Sequence, residues 1–157
     1  MADLFTLSAT DLAALLCSRV CHDIISPVGA INNGLELLDE GGADEDAMRL
    51  IRQSARNASA RLQFARIAFG AAGSAGMLID TGDAEAVAIA FLKNEKPELT
   101  WNGARALLPK NKVKLLLNLI LVANAAIPRG GRLVVTLENL DTEPRFALSS
   151  SGPMLRV

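Results

Sequence analysis

The sequence is poor in the residues that most often carry site chemistry. It holds one histidine, His22, and two cysteines, Cys17 and Cys21. A Cys/His zinc site would need carboxylates to complete it, and no ligand spacing supports one. The two cysteines lie one helical turn apart, where a disulfide is geometrically awkward, so both read as small core residues. Positive charge is not in excess: the formal net charge is −1 over 157 residues. Nucleic acid and anionic membrane both require a basic surface, so neither is expected as the main partner. A long uninterrupted apolar run is also lacking. The longest, Leu115 to Ile127, is broken by Asn118 and Asn124 and is too short to span a bilayer. Met1 to Thr6 has no basic stretch before an apolar one, as a secretory signal would. The expectation is a cytoplasmic chain with no metal or cofactor of its own.

What the chain does have is apolar periodicity. Half its residues are hydrophobic and 21% are charged, a balance that favours a packed fold over disorder. Ser8, Thr10 and Asp11 offer N-cap chemistry before a heptad formed by Ala14, Cys17, Cys21, Ile24, Val28, Ile31, Leu35 and Leu38. Gly41-Gly42 stops that helix, and Asp44 to Asp46 supply acidic residues to the first turn of the next. A second heptad follows: Ile51, Ala55, Ala58, Leu62, Ala65, Phe69 and Ala72. The short linker predicts an antiparallel helical hairpin. Small residues populate both seams, so one hairpin buries little. Two would form a four-helix bundle, which predicts a homodimer.

Gly70 to Gly76 is a shift in composition and the clearest boundary, giving a helical domain over 1–73 and a second domain over 77–157. In the second, Asp83 to Asn94 and Lys110 to Ile127 read as helices. Leu99 to Trp101, Leu133 to Leu140 and Arg145 to Ser149 read as strands, with turns at Gly130-Gly131 and Asp141 to Pro144. The fold class is α+β, a hairpin followed by an α/β sandwich with its helices on one face of a sheet.

His22 falls just off the first seam, among Arg19, Asp23, Ser26, Gly29, Asn32 and Asn33, all polar or small. An imidazole exposed on such a face is open to a large partner. Neutral imidazole is a good nucleophile near neutral pH, and one ring nitrogen can attack phosphorus while the other keeps its proton. Asp23 is placed to accept that proton's hydrogen bond, although adjacent helical residues point about 100° apart and the contact needs a suitable rotamer. Pro27 lies inside the helical pattern, where proline costs about 3 kcal/mol or more, and it frees a carbonyl one turn upstream.

The run Cys21-His22-Asp23-Ile24-Ile25-Ser26-Pro27-Val28 resembles the H-box of dimeric sensor histidine kinases: His, acid, two residues, a small polar residue, Pro, an aliphatic. The longer stretch from Leu16 to Leu38 is similar to alphaproteobacterial histidine phosphotransferases, a resemblance that extends over the chain. That family's usual end is expected beyond Val157. Leu117 to Ala123, with Pro128 and Gly130-Gly131, resembles the kinase N-box helix and the turn after it. Asn118 matches the first Asn of that pattern. The second, a magnesium ligand in kinases, is replaced by Val122, and the basic position after it by Ala125. Ser150-Ser151-Gly152-Pro153-Met154 stands where kinases carry Asp-any-Gly-any-Gly, so the adenine-reading Asp is replaced by Ser150 and the second Gly by Met154. Val122 cannot coordinate Mg²⁺, which requires oxygen ligands. The second domain is therefore expected to keep the kinase shape without binding ATP, and His22 to be phosphorylated by another protein.

The resemblance implies a phosphorelay in cell-cycle control. Phosphate would pass from the receiver-domain Asp of a CckA-type hybrid kinase to His22, then to CtrA-type and CpdR-type response regulators. Any Mg²⁺ would belong to the receiver. His22 is then the phosphoacceptor, Asp23 the orienting carboxylate, and Ser26 a third candidate. Arg19, Ile25, Gly29, Asn32, Asn33, Arg61, Phe64 and Arg66 are candidates for partner binding, with packing against the second domain the preferred alternative for Phe64. The arginines of the second helix, Arg49, Arg52, Arg56, Arg61 and Arg66, read as a set equally as solvated surface and as docking surface. Two alternatives stand beside this reading: an ATP-using sensor kinase core, and a non-catalytic dimeric adaptor in which His22 is incidental.

Overall fold

The computed structural model describes residues 6–41, 44–70 and 77–156. Helix α1 (Ala9–Asp39) starts where the Ser8 hydroxyl accepts a hydrogen bond from the Asp11 N–H, the arrangement its N-cap chemistry predicts. It ends where Gly41 takes φ +71°, a left-handed conformation that glycine adopts without a β-carbon clash. Helix α2 (Asp44–Ala68) opens on Asp44, Glu45 and Asp46, whose charges complement the positive end of the helix dipole. The described residues form two compact units, Met1–Leu62 and Gln63–Val157, which divide within α2. Of the glycine-rich stretch read as the boundary, Gly70 to Gly76, all but Gly70 lies outside the described residues.

In the first unit the covered face of α1 shares only Ile24, Ile31 and Leu38 with the predicted seam. Pro27 and Gly34 are its buried residues, seven apart, with Leu16, Val20, Ile24, Ile31 and Leu38 half-buried. On α2 the covered side chains are Ala47, Ser54 and Ala58, with Ile51 half-buried. Small residues lead on both faces because the helices approach closely at Gly34. The predicted seam residues Cys17, Cys21, Val28 and Leu35 of α1, and Ala55 and Leu62 of α2, are exposed in the single chain. Cys17 and Cys21 are therefore not core residues of this chain alone. By length and composition, α1 is also the one described helix long and apolar enough to cross a membrane.

The second unit contains β1 (Leu78–Asp80), α3 (Thr81–Leu92), β2 (Pro97–Asn102), β3 (Leu107–Pro109), α4 (Lys110–Ala126), β4 (Gly131–Glu138) and β5 (Arg145–Ser151). Strand β2 pairs parallel with β4, and β4 antiparallel with β5. Leu99, Trp101, Leu133, Val135, Leu137, Phe146 and Leu148 alternate onto one face, where they meet Ala84, Ala88 and Phe91 of α3 and Val113, Leu116, Leu117 and Ile120 of α4. The opposite face carries Glu98, Thr100, Arg132 and Ser149, all exposed. This is the expected sandwich, with a second sheet added in which β1 and β3 pair antiparallel. At the turn into β4, Gly130 and Gly131 have φ +89° and +137°, and a β-carbon on Gly131 would stand 2.0 Å from the Ser151 carbonyl oxygen. Glycine is thus required there by both backbone conformation and space.

Candidate functional site on the first helix

His22 lies in the middle of α1 on a strip with Ile25, Ser26, Gly29, Asn32 and Asn33, spaced three, four and seven residues along the helix. All are exposed except Gly29, which is half-buried. The His22 ring is 86% exposed, whereas the Asp23 side chain is only 18% exposed. The ring Nδ1 stands 3.3 Å from Asp23 Oδ1, so the rotamer required for contact between adjacent residues is adopted. The other carboxylate oxygen, Oδ2, accepts a 2.8 Å hydrogen bond from Arg19 Nε. Asp23 therefore bridges Arg19 and His22, and Nε2 is the ring nitrogen of His22 that lies outside this bridge. Pro27, buried inside the helix, has no N–H to offer the Asp23 carbonyl, so the turn that holds His22 and Asp23 lacks one helical hydrogen bond.

The predicted partner-binding residues fare differently. Ile25 is 71% exposed, unusual for a large aliphatic side chain. Gly29 has open space above it: a β-carbon added there would meet nothing within 4 Å. Asn32 and Asn33 are exposed. Arg61 is half-buried, and its Nε donates to Asn57 Oδ1 at 3.0 Å. Arg66 is exposed in the last turn of α2. For Phe64 the partner-binding candidacy is corrected and the packing alternative holds: it is 1% exposed and its ring stacks on Phe91 at a centroid distance of 4.4 Å. It belongs to the core of the second unit and offers no surface to a partner. Its place outside the α2 seam left both readings open, because an apolar residue there can face either solvent or another layer.

Two of the positions read against the kinase pattern, Asn118 and Ser150, make structural contacts. Asn118 Nδ2 donates to the Ala68 carbonyl at 3.0 Å and to the Lys114 carbonyl at 2.8 Å. Lys114 Nζ donates to the Gly70 carbonyl at 2.7 Å. Together they satisfy carbonyls left open at the end of α2. Ser150 Oγ donates to the Ala123 carbonyl at 3.0 Å, fastening β5 to α4. Val122 is 67% exposed and supplies no ligand atom. The roles of Arg19, Lys114 and Ser150 in these contacts were missed; only the i,i+4 spacing of Arg19 and Asp23 was a usable signal.

The family profile of the histidine phosphotransferase C-terminal domain matches residues 81–157. Protein phosphotransferase ChpT of Brucella abortus (strain 2308) is 76% identical over 152 residues, spanning 97% of this chain and 73% of that protein. The chain belongs to the histidine phosphotransferase family. A solved structure of a bacterial phosphotransferase, 74% identical, superposes with a TM-score of 0.86 and covers 97% of this chain and 73% of its own. That similarity spans both the hairpin and the sandwich, so the phosphotransferase fold is shared along nearly the whole chain.

Proposed function

We propose that this histidine phosphotransferase is a phosphorelay intermediate that carries phosphate on His22 between receiver domains. The observation that carries the reading is the exposed strip around His22. A donor that is itself a protein domain must bring its aspartyl phosphate to the ring nitrogen. The projecting imidazole, the open space at Gly29 and the exposed Ile25 suit a close protein approach. Glycine in a helix interior costs about 1 kcal/mol relative to alanine. Among the described residues, no contact requires it at position 29.

In the proposed step, the Nε2 lone pair attacks phosphorus as the bond to the aspartyl oxygen breaks, and that aspartate leaves as a carboxylate. The ring keeps its Nδ1 proton and becomes cationic, with Asp23 Oδ1 facing the charge. Transfer to the next receiver reverses the sequence. Asp23 is already engaged with Arg19, and we place the Mg²⁺ in the receiver. The upstream receiver would be that of a CckA-type hybrid kinase and the downstream ones CtrA-type and CpdR-type, in the cytoplasm and in cell-cycle control.

The working form is read as a homodimer. The exposed seam of Cys17, Cys21, Val28 and Leu35 keeps heptad spacing on a face of α1 distinct from that of Pro27 and Gly34. A second hairpin would cover it. This also accounts for the apolar character of α1 without a bilayer, in which Arg19 and Asp23 would be costly.

The test mixes the protein with a ³²P-phosphorylated receiver domain and, separately, with labelled ATP. Label is expected from the receiver alone, and none in His22→Ala. Label from ATP would make the protein a kinase. Binding to receivers with no label in either arm would make it an adaptor.

A further inference from the structure

We propose that Arg19 is a positioning residue for the phosphoacceptor, acting on His22 through Asp23 rather than by touching a partner. This rests on the phosphotransfer reading and deepens it. The bridge is directional: Arg19 Nε donates to Oδ2 at 2.8 Å, and Oδ1 faces His22 Nδ1 at 3.3 Å. With Oδ2 held by a guanidinium one turn below, rotation of the carboxylate away from the adjacent ring is restrained. Oδ1 then stays where only an Nδ1–H can meet it, which fixes the tautomer that presents a lone pair at Nε2.

Two features separate this bridge from an ordinary surface ion pair. First, the order along the helix is Arg then Asp, the poorer orientation against the helix dipole, so helix stabilisation does not account for it. Second, the Asp23 side chain is 18% exposed while Arg19 is 52% and His22 86% exposed. The carboxylate at the centre is shielded and its two partners project outward. The 3.3 Å separation is long for a hydrogen bond and has room to shorten when the ring becomes cationic on phosphorylation.

The chain has a single histidine, so the imidazole ¹⁵N resonances of the whole protein report His22 alone. In the unmodified protein they are expected to show the Nδ1–H tautomer in excess. In Arg19→Gln the population should move toward Nε2–H. Transfer from a phosphorylated receiver should slow by about twofold to fivefold in the maximal rate, the scale of one exposed ion pair, with receiver affinity unchanged. In an Asp23→Asn background, Arg19→Gln should add nothing, because its route to the ring is gone. An unchanged tautomer ratio in Arg19→Gln would overturn the proposal. So would a loss confined to receiver affinity, or additive losses in the double variant, either of which makes Arg19 a docking residue. If the unmodified protein takes no phosphate from a receiver, the phosphotransfer reading falls, while the tautomer comparison still decides whether Arg19 sets the ring.

Discussion

Gly34 of α1 lies so close to Ile51 of α2 that a β-carbon built on it would stand 2.6 Å from Ile51 Cγ1 and 3.3 Å from the Ala47 carbonyl oxygen. The hairpin depends on this absence of a side chain. Gly34→Ala gains about 1 kcal/mol of helix propensity, but overpacking costs about 1–3 kcal/mol, so a net loss of stability is expected. Urea denaturation measures it. Combined with Ile51→Ala, the two losses should sum to less than their separate values, because the clash is removed. Full additivity would mean that the helices do not meet at this pair.

A charge placed in the exposed seam should break the proposed dimer without touching the face that packs α1 on α2. Val28 is 42% exposed in the single chain. Val28→Glu is expected to shift the mass measured by light scattering from two chains to one at micromolar concentration. An unchanged mass would remove the seam from the interface.

Phe64 separates packing from docking. Phe64→Ala empties a site in the core beneath Phe91 and should cost about 3–5 kcal/mol, a large share of the stability of a domain this size. At temperatures where the variant remains folded, receiver affinity should equal that of the unmodified protein. Loss of affinity with normal thermal stability would restore Phe64 as a contact.

Ser150, read in the sequence against the kinase aspartate, serves here as a donor to the Ala123 carbonyl. Ser150→Asp would set a carboxylate against the Ala123 carbonyl with no hydrogen between them, at a cost of about 1–3 kcal/mol. Chemical denaturation should show that loss, and an ATP titration should show no binding. Acquired ATP affinity would mean that the site needs only this one charge.

Much of the architecture was legible because it is written in local chemistry. Ser8 and Gly41 mark the ends of α1 through a hydroxyl acceptor and a left-handed turn. The acidic triplet from Asp44 opens α2, and the alternation in β4 and β5 follows from the two-residue period of a strand. The strip around His22 was legible for the same reason: spacings of three, four and seven place residues on one helix face whatever surrounds them. Strands β1 and β3 were not legible. Three residues carry too little periodicity, and their pairing joins segments that are distant in sequence.

By itself, then, the sequence determined where the helices run and which face of α1 carries the histidine. Tertiary structure alone decided which neighbour each face meets. The inward face of α1 is marked by Pro27 and Gly34, residues with almost no hydrophobic signal. They are covered because close helix approach favours small volume, and that requirement exists only once α2 is present. The same holds for Asp23: spacing put it near both Arg19 and His22, but only the rotamer adopted in the fold turned one carboxylate oxygen to each.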